Sequence, residues 1–244
     1  MKVSNQSARS RVVAAEFEDS WETVAALPGW WPGPAQVECA KLLRGAGDPS
    51  AALQTTDYPT ALIRSLVNWR AFRGVSIEPE HVATCLEGVV PLLGRWRGST
   101  ILSLHDDDYG DLFDLFDALR DLKPTQRKWV ATSKTLHHLL PDLIVPMDNL
   151  MTAPFLGLGA LPVRFDAGFL AEAYGAFTQV ALDKEDGIGS RRIRAAAREV
   201  PWQTAGASHR DCQVGVARVI DFAIAGFVLR HGRADLRLTP DEAV

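Results

Sequence analysis

The chain has 244 residues, 47% of them hydrophobic and 23% charged, with three cysteines and a formal net charge of −4. A chain of this length can bury a substantial core, and its composition excludes wholesale disorder, a collagen-like repeat and a disulfide-stapled scaffold. The longest apolar stretch, Val219 to Leu229, is interrupted by Asp221 and falls short of the roughly 20 residues of a membrane helix. The only apolar run before Phe17 is Val12–Ala15, too short for a signal-peptide core, so a cytoplasmic protein with no membrane partner is expected.

Helical periodicity dominates from the start. Residues 11–26 carry apolar positions at helical spacing and run into Leu27-Pro28-Gly29-Trp30-Trp31-Pro32-Gly33-Pro34, whose prolines and glycines demand a loop. Helices are expected next at Ala35–Leu43, ended by Gly45 and Gly47, at Tyr58–Phe72 and at Glu80–Leu93. The clearest is Asp108–Leu122. There Leu112, Leu115, Phe116, Leu119 and Leu122 fall on one face, with Asp111, Asp114, Asp117 and Asp121 mostly opposite. That acidic side reads as a solvated face, and Asp106, Asp107 and Asp108 as helix-capping acids, rather than as a metal site.

A helix over Gln126–Leu140 should end at Pro141, because proline lacks a donor and restricts the residue before it. A short apolar connector, Asp142–Met147, leads to Asp148-Asn149, an N-cap pair for a short helix. Later helices are expected at Ala167–Leu182, Ser190–Glu199 and Gln213–Arg230, and short strands only near Val75–Ile77, Ile101–Leu104 and Leu143–Val145. The resulting fold class is mainly α: a single multi-helix domain over residues 1–244. Two lobes are expected, one from roughly 1–105 with the C-terminal helices and one from 106–200.

The mildly acidic total conceals an uneven distribution. Residues 106–121 hold seven aspartates and one arginine, whereas residues 123–138 hold four lysines or arginines and no acid. Arg191, Arg192, Arg194 and Arg198 form a second basic cluster. Such patches can steer a polyanion on an acidic molecule. Cys39, Cys85 and Cys212 include no Cys-x-x-Cys pair and read as buried or semi-buried thiols. No Walker loop, His-Glu-x-x-His or Gly-x-Ser-x-Gly motif is present.

The segment Lys128 to Asn149 places a basic helix, a proline break, an apolar connector and then one acid at a new helix start. An anion held there can stabilise a sugar cation developing at C1′ and position water against it. Val145-Pro146-Met147-Asp148, with Leu119-Arg120-Asp121-Leu122-Lys123-Pro124 before it, resembles the helix-hairpin-helix DNA glycosylase superfamily. The resemblance covers residues 108–155. It implies a helical fold of that type and a duplex-DNA partner without a cofactor or metal. It also makes Asp148 the catalytic carboxylate and Lys134 the lysine that some members use as a Schiff-base nucleophile. Two features depart from the family: no Gly-x-Gly hairpin precedes Lys134, and the interval from Lys134 to Asp148 is shorter than usual.

A second register lies further on. Asp186-Gly187-Ile188-Gly189-Ser190-Arg191-Arg192 has the Gly-hydrophobic-Gly form of a hairpin, and Asp211 follows at about the usual interval. Gly187 and Gly189 would let backbone amides approach a DNA phosphate, with Arg191 and Arg192 adding charge. Asp211 is thus the alternative catalytic acid. Lys128 and His137 are further candidates for DNA contact, and His137, His138 and Asp142 do not make a convincing metal set. Trp30 and Trp31 are candidates for the wall of a pocket holding an extruded base, while Trp129 is expected in the core. A base-excision enzyme acting as a monomer is the leading expectation, on a lesion in repair or on a hypermodified phage base in defence. A non-catalytic helical DNA-binding module and a Mg²⁺-dependent nuclease using the 106–117 acids are the alternatives.

Overall fold

The computed structural model describes residues 3–25, 27, 33–123, 128–163, 165–182, 188–189, 191–192, 195 and 215–232. Among these the chain is mainly helical and contains no strand. The long helices are α1 (Val3–Ala15), α2 (Phe17–Ala25), α3 (Pro34–Ala46), α5 (Asp57–Asn68), α6 (Pro79–Leu93), α7 (Tyr109–Asp117), α8 (Lys128–Leu139), α10 (Ala167–Ala181) and α11 (Val216–His231). Two short ones, α4 (Pro49–Leu53) and α9 (Thr152–Phe155), lie between them.

Local chemistry explains most of the boundaries. Pro34 opens α3, and Gly47, at φ +69°, closes it in the left-handed conformation. Asp48 then caps α4, accepting the Ser50 and Ala51 N–H groups at 2.8 and 3.1 Å, with Pro49 as the first helical residue. Asp166 caps α10 in the same way through the Phe169 N–H at 2.8 Å. Pro91 falls inside α6, which nevertheless continues to Leu93.

The expected helix over 11–26 is two helices joined at Glu16, and it begins earlier than its apolar spacing indicates. The acidic helix stops at Asp117, the chain continuing to Leu122 as tight turns that still bury Leu119 and Leu122. None of the three expected strands forms. Residues 101–103 make a 3-10 turn, residues 75–77 are irregular, and residues 143–145 are a turn running into irregular chain. Leu143, Ile144 and Val145 are apolar because the connector is fully buried, not because it belongs to a sheet.

Tyr58, Leu62 and Leu66 of α5, Leu112, Leu115 and Phe116 of α7, Leu136 of α8, and Tyr174 and Phe177 of α10 share one continuous core. Through it runs α11, buried on every side from Val216 to Val228. Its start is fixed by Asp142, whose Oδ1 accepts the Val216 N–H at 2.8 Å. Gly215 lies so close to the Pro141 carbonyl that a Cβ would overlap it. At the other end α11 crosses α2 where Gly226 meets the Ser20 carbonyl, again leaving no room for a Cβ. Arg230 clasps Glu16 at the α1–α2 joint and Asp19 of α2, at 2.8 and 2.9 Å. No described helix is long and apolar enough to cross a membrane.

Candidate active site

Four side chains of α8 do two jobs. Ser133 and His137, one turn apart, grip the buried connector. The Ser133 hydroxyl accepts the Met147 N–H at 3.0 Å, and the His137 Nδ1–H donates to the Ile144 carbonyl at 2.6 Å. Lys134 and His138, again one turn apart, meet the end of α5. The Lys134 ammonium donates to the Trp69 carbonyl at 2.8 Å and lies 5.3 Å from the Trp69 ring centre. The His138 Nδ1–H donates to the Lys134 carbonyl at 2.8 Å, so its Nε2 is the acceptor facing the Ser65 hydroxyl at 2.6 Å. The Tyr58 hydroxyl completes this brace on the His138 carbonyl at 2.9 Å.

Asp148 follows Met147 directly, so the grip on the connector sets its position. Its Oδ1 accepts the N–H groups of Leu150 and Met151, both at 2.7 Å, and its own N–H donates to the Thr152 hydroxyl at 3.0 Å. The sequence placed Asp148 at a helix start. The observed helix there, α9, has only four residues and begins at Thr152, so two individual amides hold the carboxylate, not a helix dipole.

The charge of Asp148 acts on Lys134, Arg218 and Asp221. Arg218 and Asp221 are the only charged residues in the apolar run 214–229, and they form a buried ion pair one turn apart on α11. The Arg218 guanidinium lies 4.7 Å from the Trp69 ring and 4.4 Å from Phe222. One half-buried indole therefore carries two cations, with two carboxylates within electrostatic reach. Burial lowers the pKa of Lys134, and Asp148 works against that shift. Burial likewise raises Asp221 to about 6 in spite of Arg218. It holds His137 well below the ordinary histidine range and His138 at about 4, so both imidazoles are neutral.

The expected site residues fall into three groups. Lys134 and Asp148 lie within electrostatic reach of each other without pairing directly, Lys134 on the Trp69 carbonyl and Asp148 on the Leu150 and Met151 amides. Lys128, over the Trp129 ring at 4.8 Å, lies at the α8 N-terminus apart from them. His137 is corrected as a surface DNA contact: it is 8% exposed, with its ring 5.6 Å from Trp69 and its Nδ1 committed to the connector. Lys123 belongs to the expected basic face by sequence, yet its ammonium is buried on the Ala71 and Arg73 carbonyls, 3.1 Å from each.

In the second register, Gly189 takes the left-handed conformation at φ +82° and its carbonyl accepts the Arg192 N–H at 3.1 Å. Arg191 is exposed, whereas Arg192 pairs with Glu18 of α2 and lies over Phe17. Gly187, Asp211, Trp30 and Trp31 lie outside the described residues.

No group of three metal-ligating side chains gathers among the described residues. Asp142, set beside His137 and His138 by sequence, caps α11 instead. Of the acids at 106–111, Asp108 accepts the His105 N–H at 2.9 Å, and both Asp108 and Asp111 pair with Arg95. Cys39 is buried with its thiol pushed up to about 12 by burial, and Cys85 is half-buried.

Sequence reasoning missed Trp69, Arg218 and Asp221. The signal available was the pair of charges at i, i+3 inside an otherwise apolar helix, a placement that burial makes costly unless the charges are used or paired.

Comparison with known protein families, with curated proteins and with solved structures finds no match to this chain.

Proposed function

We propose that the protein is a DNA N-glycosylase of the helix-hairpin-helix type, acting in the cytoplasm on a damaged or hypermodified base flipped from the duplex. The observation that carries this reading is Lys134, half-buried over the Trp69 ring, with the Asp148 carboxylate within electrostatic reach of it. Burial favours the neutral amine of Lys134, the form that can attack. Asp148 supplies the anion that an oxocarbenium-like C1′ needs as the glycosidic bond lengthens.

In the lysine route, the Lys134 nitrogen lone pair forms a bond to C1′ while the C1′–N bond breaks. The base leaves with that electron pair and takes up a proton. The resulting amine adduct opens the sugar to an imine, which water hydrolyses to an abasic site and free Lys134. In the water route, Asp148 orients the water, whose oxygen bonds C1′ as the base leaves with the electron pair of the C1′–N bond, and the proton that the water loses ends on the departing base. The half-buried Trp69 indole is a flat surface of the kind on which a flipped base stacks.

The test is to incubate duplexes carrying varied lesions, and phage DNA, with the protein in EDTA and to score alkali-labile sites. Release that survives EDTA and is lost in Asp148→Asn supports the reading. Retention in Asp148→Asn with loss in Asp211→Asn moves the acid but keeps the class. A borohydride trap separates the two routes, since only the lysine route leaves a covalent adduct.

A non-catalytic DNA-binding module is the second reading. It is favoured by the structural work both residues already do: Lys134 closes the end of α5, and Asp148 holds the Leu150 and Met151 amides. Salt-sensitive binding with no base release on any substrate would select it.

A further inference from the structure

The turn after α5 is built in an unusual way. Trp69 N–H bonds to Ser65 O, Arg70 N–H to Val67 O, and Ala71 N–H to Leu66 O, the pattern of a helix closed by a left-handed residue. That residue is usually glycine, because a Cβ is strained there. Here it is Arg70, at φ +54°, the only non-glycine with positive φ among the described residues.

Each carbonyl from Trp69 to Arg73 already holds a donor. Trp69 O takes Lys134, Ala71 O and Arg73 O take Lys123, Arg70 O takes the Arg73 N–H, and Phe72 O takes the Val75 N–H. The acceptors that would draw arginine side chains back onto the helix end are thus occupied from the interior. Arg70 and Arg73 are both exposed, and neither pairs with a carboxylate among the described residues. Residues 58–77 contain three arginines and no acid, and the third, Arg64, is paired with Glu38 at 3.0 Å.

We propose that Arg70 and Arg73 form a phosphate clamp that holds the DNA backbone beside the Trp69–Lys134 site. The clamp rests on the reading that the substrate is DNA. A guanidinium offers two parallel donors to one phosphate, and two of them project from a turn whose own acceptors are filled. Retaining a strained arginine where glycine would fit has a reason if its side chain is needed outside. The clamp begins one residue from Trp69, so it would grip the strand at the nucleotide being extruded.

The test is anisotropy binding of a plain duplex across a salt series, for the parent, Arg70→Gly, Arg73→Gln and Arg120→Gln, each also melted thermally. Arg70→Gly is expected to melt at or above the parent temperature while binding several-fold more weakly. Its slope of log K against log salt should fall by about 1. Arg73→Gln should lower the slope similarly, and Arg120→Gln, on the acidic turn after α7, should leave it unchanged.

If Arg70→Gly and Arg73→Gln keep the parent slope and affinity, the clamp is overturned, while the excision assay still decides the glycosylase reading. If Arg70→Gly instead melts well below the parent, Arg70 is a helix-end residue and the clamp is overturned. If the slopes fall as expected but no base is ever released, the clamp stands and the glycosylase reading fails. A parent that does not bind duplex DNA overturns both.

Discussion

The Ser133 hydroxyl, on the second turn of α8, takes the N–H of Met147 at 3.0 Å, and the residue after Met147 is Asp148. The bond links the helix that carries Lys134 to the chain that carries the carboxylate. Ser133→Ala would leave a buried N–H without that partner, at about 1–3 kcal/mol of stability. It should also loosen Asp148 relative to Lys134. Urea titration should therefore show a lowered midpoint, and base release should slow by more than the loss of folded protein accounts for.

Asp142 provides the matching control. It caps α11 through Val216 N–H and does not share the charged site. Asp142→Ala should cost about 1 kcal/mol, read in the same titration, and leave base release by the folded fraction unchanged.

Gly226 and Gly215 sit against backbone carbonyls, of Ser20 and Pro141 respectively, that a Cβ would overlap. Backbone cannot swing aside as the end of a flexible side chain can, so Gly226→Ala should force α2 and α11 apart. A loss of about 2–3 kcal/mol or more is expected, seen as a large drop in melting temperature. Gly45→Ala, where nothing lies within 4 Å of the added atom, should melt near the parent temperature or above it.

The buried histidines set the response to acid. His138 titrates near 4 in the folded protein against 6.5 for the free side chain, because burial disfavours its charged form. A histidine lowered in this way contributes its full stability above about pH 6.5 and loses it as the pH falls towards 4. The loss is on the order of 3 kcal/mol, and His137 shifts in the same direction. Asp221 acts oppositely. Raised to about 6 from 3.8, it binds a proton in the folded state first, so it adds stability as the pH falls through that range. Two histidines outweigh one aspartate, so the urea midpoint should decline from pH 6.5 to 4. In His138→Gln that decline should be shallower by about one proton's worth.

The helices α6, α7, α10 and α11 were legible because each carries a one-sided apolar stripe or a mostly apolar run between recognisable stops, and α8 because Pro141 marks its end. The start of α1 was not, since Val3–Ser10 is mostly polar. The short α4 had its signal in Asp48-Pro49, a cap followed by a first-turn proline. The connector Leu143–Val145 resembled a strand because three buried apolar residues in a row carry no period of their own. In the candidate site, Asp148 drew attention by its place after the proline break, and Lys134 only through the family resemblance. Trp69, Arg218 and Asp221 reach them from helices far away in sequence, a proximity that no local pattern encodes.

The clasp of Arg230 on Glu16 joins residues 214 positions apart, and the α2–α11 crossing at Ser20 and Gly226 spans nearly as far. On a ribosome, α2 is therefore made long before the helix that covers it. Until α11 emerges, Trp21, stacked on Phe17, lacks Phe222, its neighbour across the crossing. Closure of such a distant contact carries a high loop entropy and slows folding. The nascent chain should stay sensitive to protease at α2 until α11 has cleared the exit tunnel, and a chain cut before Val216 should bind chaperones rather than fold.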